Sequence, residues 1–77
     1  MQQTIKDIMA QVFEVDIDTI DESATPETIE AWDSLRHLNL LVALEEEFNV
    51  EFDDDEFISM LSFQKITSVI KAKRAKT

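Results

Sequence analysis

Apolar residues return along this chain at helical intervals. Ile5, Ile8, Met9, Val12 and Phe13 follow the i, i+3, i+4, i+7 spacing of one buried face and predict a first helix over about Thr4–Glu14. Thr4 with Asp7 three residues on resembles a capping box for it. Asp33 is a good N-cap for a second helix over Ser34–Phe48, with Leu35, Leu38, Leu41 or Val42, and Phe48 at helical spacing. Leu40 and Leu44 widen its apolar surface beyond one stripe, so it packs on more than one side. Asn49 is a tolerable residue to end it where glycine is absent. A short helix over about Asp54–Met60 turns Phe57 and Met60 to the core. Ser62 can cap a last helix over about Phe63–Arg74, with Ile66, Val69 and Ile70 on its inner face.

Between the first two helices the periodicity fails. In residues 15–32 the apolar Val15, Ile17 and Ile20 are interrupted by Asp16, Asp18, Asp21 and Ser23, and Thr25-Pro26 breaks any helix. A turn led by Pro26 is expected over Pro26–Ile29. A connection this long tends to be functional or to carry a short helix of its own. The pattern predicts an all-α bundle of three main helices plus one short helix, with a long loop between the first and second.

Composition narrows the chemistry. The chain has 77 residues, no Gly, no Cys, one Pro and one His. It reads as one domain, 1–77, in which 71–77 form a basic tail free to fray. Without Cys there are no disulfides, thiolate metal sites or cysteine nucleophiles, and one His excludes a multi-His site. The absence of Gly excludes a glycine-rich phosphate loop. No signal-peptide pattern opens the chain, and its longest apolar run, Leu40–Leu44, is far short of the roughly 20 residues that span a bilayer. A cytoplasmic protein without membrane insertion is expected, monomeric because no heptad seam is evident.

The net charge of −10 is unevenly placed. Lys71, Lys73, Arg74 and Lys76 lie in the last seven residues, so residues 1–70 carry three cations against 17 acids, a balance of −14. Such a body repels nucleic acid and attracts basic protein surfaces, or its acids serve only to keep a small domain soluble.

Few residues can carry a reaction. Ser34 and His37 are the only Ser–His pairing, and a triad needs a pocket, an oxyanion hole and an orienting acid that so small a bundle does not supply. Asp53-Asp54-Asp55-Glu56 fails as a calcium loop, because Ile58 stands where Gly is required and Lys65 where Glu is required. It reads instead as a charged helix start. Ser34 remains, in the first turn of the second helix, where free backbone N–H groups and the dipole favour a phosphate ester. On physics alone those features suit a second capping residue better.

Asp33-Ser34-Leu35, followed by Leu38, Leu40, Leu41 and Ala43-Leu44-Glu45-Glu46-Glu47-Phe48, resembles the second helix of acyl carrier proteins. The resemblance extends through Val15-Asp16-Ile17-Asp18 to the Ile66/Val69/Ile70 helix. It implies a non-enzymatic carrier whose Ser34 receives 4′-phosphopantetheine from coenzyme A, through a phosphopantetheinyl transferase, and whose arm carries acyl groups as thioesters. The absence of Cys suits that division of labour, the cofactor supplying the thiol. By position, Asp33, Leu35, Arg36, Asn39, Val42, Glu45 and Glu46 would face partner enzymes with basic docking patches, such as loading enzymes, ketosynthases and acyltransferases. Leu44, Phe52, Phe57 and Met60 would line an acyl cavity or simply fill the core. Arg36 and His37 are candidates for pairing with the cofactor phosphodiester.

Family members usually carry acids where Arg36 and Asn39 stand and a small residue near Trp32. The departure implies a specialised carrier with dedicated partners, within fatty-acid or specialised lipid or polyketide-type biosynthesis. An aminoacyl or peptidyl carrier and a phosphopantetheine-free acidic adaptor are the alternatives.

Overall fold

Four helices form in a computed structural model that describes residues 1–75. They are α1 (Gln2–Phe13), α2 (Ser34–Phe48), α3 (Asp54–Ser59) and α4 (Phe63–Ala75). The all-α class and every expected helix are present.

Local chemistry fixes most of the boundaries. Asp33 caps α2, its carboxylate accepting from Arg36 N at 2.8 Å. Asp53 and Glu56 form a complete capping box on α3, at 2.8 and 2.9 Å. Ser62 Oγ accepts from Lys65 N at 3.0 Å at the start of α4. With no glycine to take the left-handed conformation, Glu14 and Asn49 end α1 and α2 at φ 56° and 55°.

Two expectations are corrected. α1 begins at Gln2 with Met1 as a cap that offers no side-chain bond, so Thr4 lies inside the first turn and does not cap it. Asp7 instead accepts from Gln3 Nε2 at 3.3 Å. In α2 the buried stripe is His37, Leu40, Leu41 and Leu44, with Phe48 packed partly behind it. Leu35, Leu38 and Val42 are 67%, 47% and 43% exposed. Both stripes obey helical spacing, and the inner one is disguised by beginning with a histidine.

The long connection is built and anchored. A 3₁₀ turn at Ile17–Thr19 is capped by Asp16, whose carboxylate accepts from Asp18 N at 3.2 Å. The turn at Pro26 is closed by Thr28 N and Ile29 N, both donating to Thr25 O at 3.0 Å. Ile20, Ala24, Ile29 and Trp32 are buried in the same core as Ile5, Met9 and Phe13 of α1. Phe63 N donates to Ala24 O at 2.9 Å, which ties the loop to α4. Burying each of the large side chains Ile20, Ile29 and Trp32 contributes roughly 1.5–3 kcal/mol, which anchors the loop to the core.

Lys71, Lys73 and Arg74 ride on α4. Lys73 Nζ pairs with Glu56 at 2.7 Å and lies 5.9 Å from the Phe52 ring, while Arg74 lies 5.6 Å from Phe48. Lys76 of the expected basic tail falls outside the described residues.

Candidate functional site

Ser34 is the first residue of α2 and is exposed. The preceding Asp33 turns its carboxylate back onto Arg36 N, which satisfies one donor of the helix start. Among the described residues no hydrogen bond holds the Ser34 hydroxyl. It stands at the positive pole of a 15-residue helix, in a position open to a phosphate ester.

A groove of about 450 Å³ opens beside this serine. Pro26 and Trp32 of the loop, Asp33, Ser34 and His37 at the start of α2, and Phe57, Ile58 and Leu61 in and after α3 line it. Three elements that are distant in sequence therefore converge on the residue that the Asp-Ser-Leu pattern singles out.

Hydrogen bonds fix part of the groove's lining. Trp32 Nε1 donates to His37 Nδ1 at 3.0 Å, and His37 Nε2 lies 2.8 Å from Phe57 O. An indole nitrogen can only donate, so Nδ1 is the acceptor and Nε2 carries the proton given to Phe57 O. The rings stack in sequence. Centroids are 5.2 Å apart for Phe13 and Trp32, 6.1 Å for Trp32 and His37, and 6.0 Å for His37 and Phe57, the last pair edge-on. With both nitrogens committed, His37 serves neither Ser34 as a base nor a phosphodiester as a ligand.

The other residues named from the resemblance are distributed around α2. Leu35, Asn39, Val42 and Glu46 are exposed. Arg36 turns towards the end of α1, where a guanidinium nitrogen lies 3.4 Å from Glu14 Oε2. Glu45 has a structural task, since its carboxylate accepts from Phe52 N at 2.9 Å and holds the chain leaving α2. Leu44 and Met60 have no exposed surface, whereas Phe52 and Phe57 pack partly buried against the core. Of these four, Phe57 alone lines the groove beside Ser34.

Sequence reasoning missed Trp32 and Pro26 as parts of the site. A tryptophan directly before the helix cap was the available signal, because its ring must pack somewhere and the loop had few other large anchors. Among the described residues no group of acids and histidine could hold a metal ion, and no helix is long and apolar enough to cross a membrane.

A helical domain that presents a serine in this way belongs to a recognisable class. Residues 3–70 match the family described as "Phosphopantetheine attachment site". The chain is 38% identical over 72 residues to the acyl carrier protein of Buchnera aphidicola subsp. Baizongia pistaciae, covering 92% of this chain and 91% of that protein. Its fold is similar to the solution NMR structure of holo acyl carrier protein from Geobacter metallireducens, with a TM-score of 0.85 at 28% identity. That likeness covers 97% of this chain and 86% of the other. The chain belongs to the acyl carrier protein family. Its prosthetic group is phosphopantetheine, and it is a carrier and not a catalyst.

Proposed function

We propose that Ser34 is the attachment point of 4′-phosphopantetheine and that the chain shuttles acyl thioesters between cytoplasmic biosynthetic enzymes. The observation that carries this reading is the exposed hydroxyl of Ser34 at the start of a long helix, in a chain that matches a phosphopantetheine-attachment family. On loading, the Ser34 oxygen forms a bond to the pantetheine-bearing phosphorus of coenzyme A, the pyrophosphate P–O bond breaks, and adenosine 3′,5′-bisphosphate leaves while the serine proton passes to solvent. The arm supplies the thiol on which acyl groups travel. The chain supplies position: Asp33 holds the helix start, and the groove lies alongside.

The exposed stripe Leu35, Leu38 and Val42, with Asn39 and Glu46 beside it, is the surface that partners grip. Its apolar residues gain by burial at an interface, and surrounding acids steer basic partners onto it. Arg36 and Asn39 soften the acidic field near Ser34, which favours dedicated partners in a specialised pathway. The exposed Arg36–Glu14 pair offsets that effect only weakly, since such pairs are worth about 0–1 kcal/mol. A standard fatty-acid synthase is therefore expected to elongate poorly on this carrier and better on Arg36→Asp/Asn39→Glu. Fast, equal turnover on both would overturn the specialised reading.

Attachment itself is read by thiol titration. The chain has no Cys, so the unloaded protein gives no thiol signal. One thiol per chain is expected after incubation with coenzyme A and a promiscuous phosphopantetheinyl transferase, and none with Ser34→Ala.

A further inference from the structure

Trp32, His37 and Phe57 come from the loop, α2 and α3, and two hydrogen bonds run through them in series. Leu40, Leu41, Leu44 and Met60, of the same core cluster as Trp32, are at zero exposure. Trp32, His37 and Phe57 also line the groove that Ser34 borders. We propose that the Trp32–His37–Phe57 chain closes the bundle core to a group tethered at Ser34, so that an apolar acyl group rests outside, in the groove against Phe57, Ile58 and Leu61. The inference rests on Ser34 being the attachment point.

Three observations support it. An acyl group entering between α2 and α3 on this side must separate the indole, the imidazole and the Phe57 carbonyl, leaving buried polar atoms without partners. It must then displace side chains already packed at zero exposure, in an interior as dense as a crystal. Outside, the groove offers apolar surface without either cost. Ile58 is 73% exposed and Leu61 46% exposed, large apolar side chains that line this groove and gain by being covered. Trp32, His37 and Phe57 are thus positioning residues that decide where cargo sits. A group held in the groove stays within reach of a partner enzyme without first being extracted from the core.

The test compares acetyl and octanoyl thioesters of the holo protein, carrying labelled Ile, Leu and Met methyl groups, by NMR. Intact mass first confirms one phosphopantetheine, absent in Ser34→Ala. On going from acetyl to octanoyl, the Ile58 and Leu61 methyl resonances are expected to shift. Those of Leu44 and Met60 should stay in place, and the Trp32 indole proton should remain protected from exchange. Shifts at Leu44 and Met60 with loss of indole protection overturn the closure. So does the absence of a shift at either set of methyls.

Trp32→Phe keeps an aromatic ring and removes the donor, and in it octanoyl-dependent shifts are expected to appear at Leu44 and Met60. Should that variant not fold, Ile58→Asp/Leu61→Asp alters only exposed positions and is expected to abolish the octanoyl-dependent shifts of the His37 and Phe57 backbone amides, read on nitrogen-labelled protein. Their persistence overturns the groove assignment. Failure to add phosphopantetheine overturns the attachment reading and this inference together, whereas a loaded protein with core shifts overturns the closure alone.

Discussion

The two long faces of α2 carry the same kind of residue to opposite ends. On one, Leu40, Leu41 and Leu44 have no exposed surface; on the other, Leu35, Leu38 and Val42 are roughly half exposed or more. Nothing in side-chain chemistry separates them. What differs is angle around the helix, fixed by where Asp33 starts it and by His37 turning inward to meet Trp32 and Phe57. Apolar surface that the fold leaves uncovered, next to the serine, is surface available to partners and cargo.

Large-to-small substitution gives the widest contrast. Leu41→Ala and Leu44→Ala are expected to destabilise by about 2–5 kcal/mol, from lost burial plus a cavity. Leu38→Ala should stay within about 0.5 kcal/mol of wild type. Urea unfolding followed by far-UV circular dichroism measures all three, and an equal loss at Leu38 would erase the distinction between the faces.

Trp32→Phe sharpens the inner half of the comparison. It leaves His37 Nδ1 buried without a donor, at about 1–3 kcal/mol. Trp32→Ala removes the ring as well and should cost about 3–5 kcal/mol, a large share of a small domain's total stability. Equal losses for the two variants would mean that the hydrogen bond contributes everything and the ring packing nothing.

A smaller effect belongs to the start of α2. Asp33→Ala removes the cap on Arg36 N and should cost about 0.5–2 kcal/mol in the same unfolding assay. Asp33→Asn, which keeps an acceptor, should recover most of it. No recovery would point to the charge of Asp33 and not to its hydrogen bond.

The helices were legible from the spacing of their apolar positions, and in α2, α3 and α4 from the polar residues Asp33, Asp53 and Ser62 that cap them. The choice of face on α2 was not. Two leucine-rich stripes fit the period, and the true inner one starts with His37, a residue that pattern reading scores as polar. The Thr4–Asp7 cap misled because α1 forms two residues earlier, from Gln2, on a backbone bond from Ile5 N to Met1 O. Ser34 was legible through Asp-Ser-Leu and the family resemblance. The groove beside it was not, since Pro26, Trp32, Phe57 and Leu61 meet only through tertiary packing that no local pattern encodes.

The smallest predicted effect lies in the loop, away from both faces. Ser23 donates twice to Asp21 Oδ1, from its hydroxyl at 2.7 Å and its backbone N–H at 2.9 Å. The side-chain bond, then the backbone bond, holds the Asp21 carboxyl below the usual aspartate value of 3.8. A lowered folded pKa contributes stability above the unfolded value, and that contribution is lost as pH falls from about 3.8 through the folded value. Ser23→Ala should move the Asp21 carboxyl resonance to titrate at higher pH. An unchanged titration would show that the hydroxyl is not the main cause.

The attachment of phosphopantetheine to Ser34 is tested most directly by intact mass after incubation with coenzyme A and a promiscuous phosphopantetheinyl transferase. The expected result is one added phosphopantetheine on the wild-type chain and none on folded Ser34→Ala. An unmodified wild type across several transferases, or a modified Ser34→Ala, would contradict it.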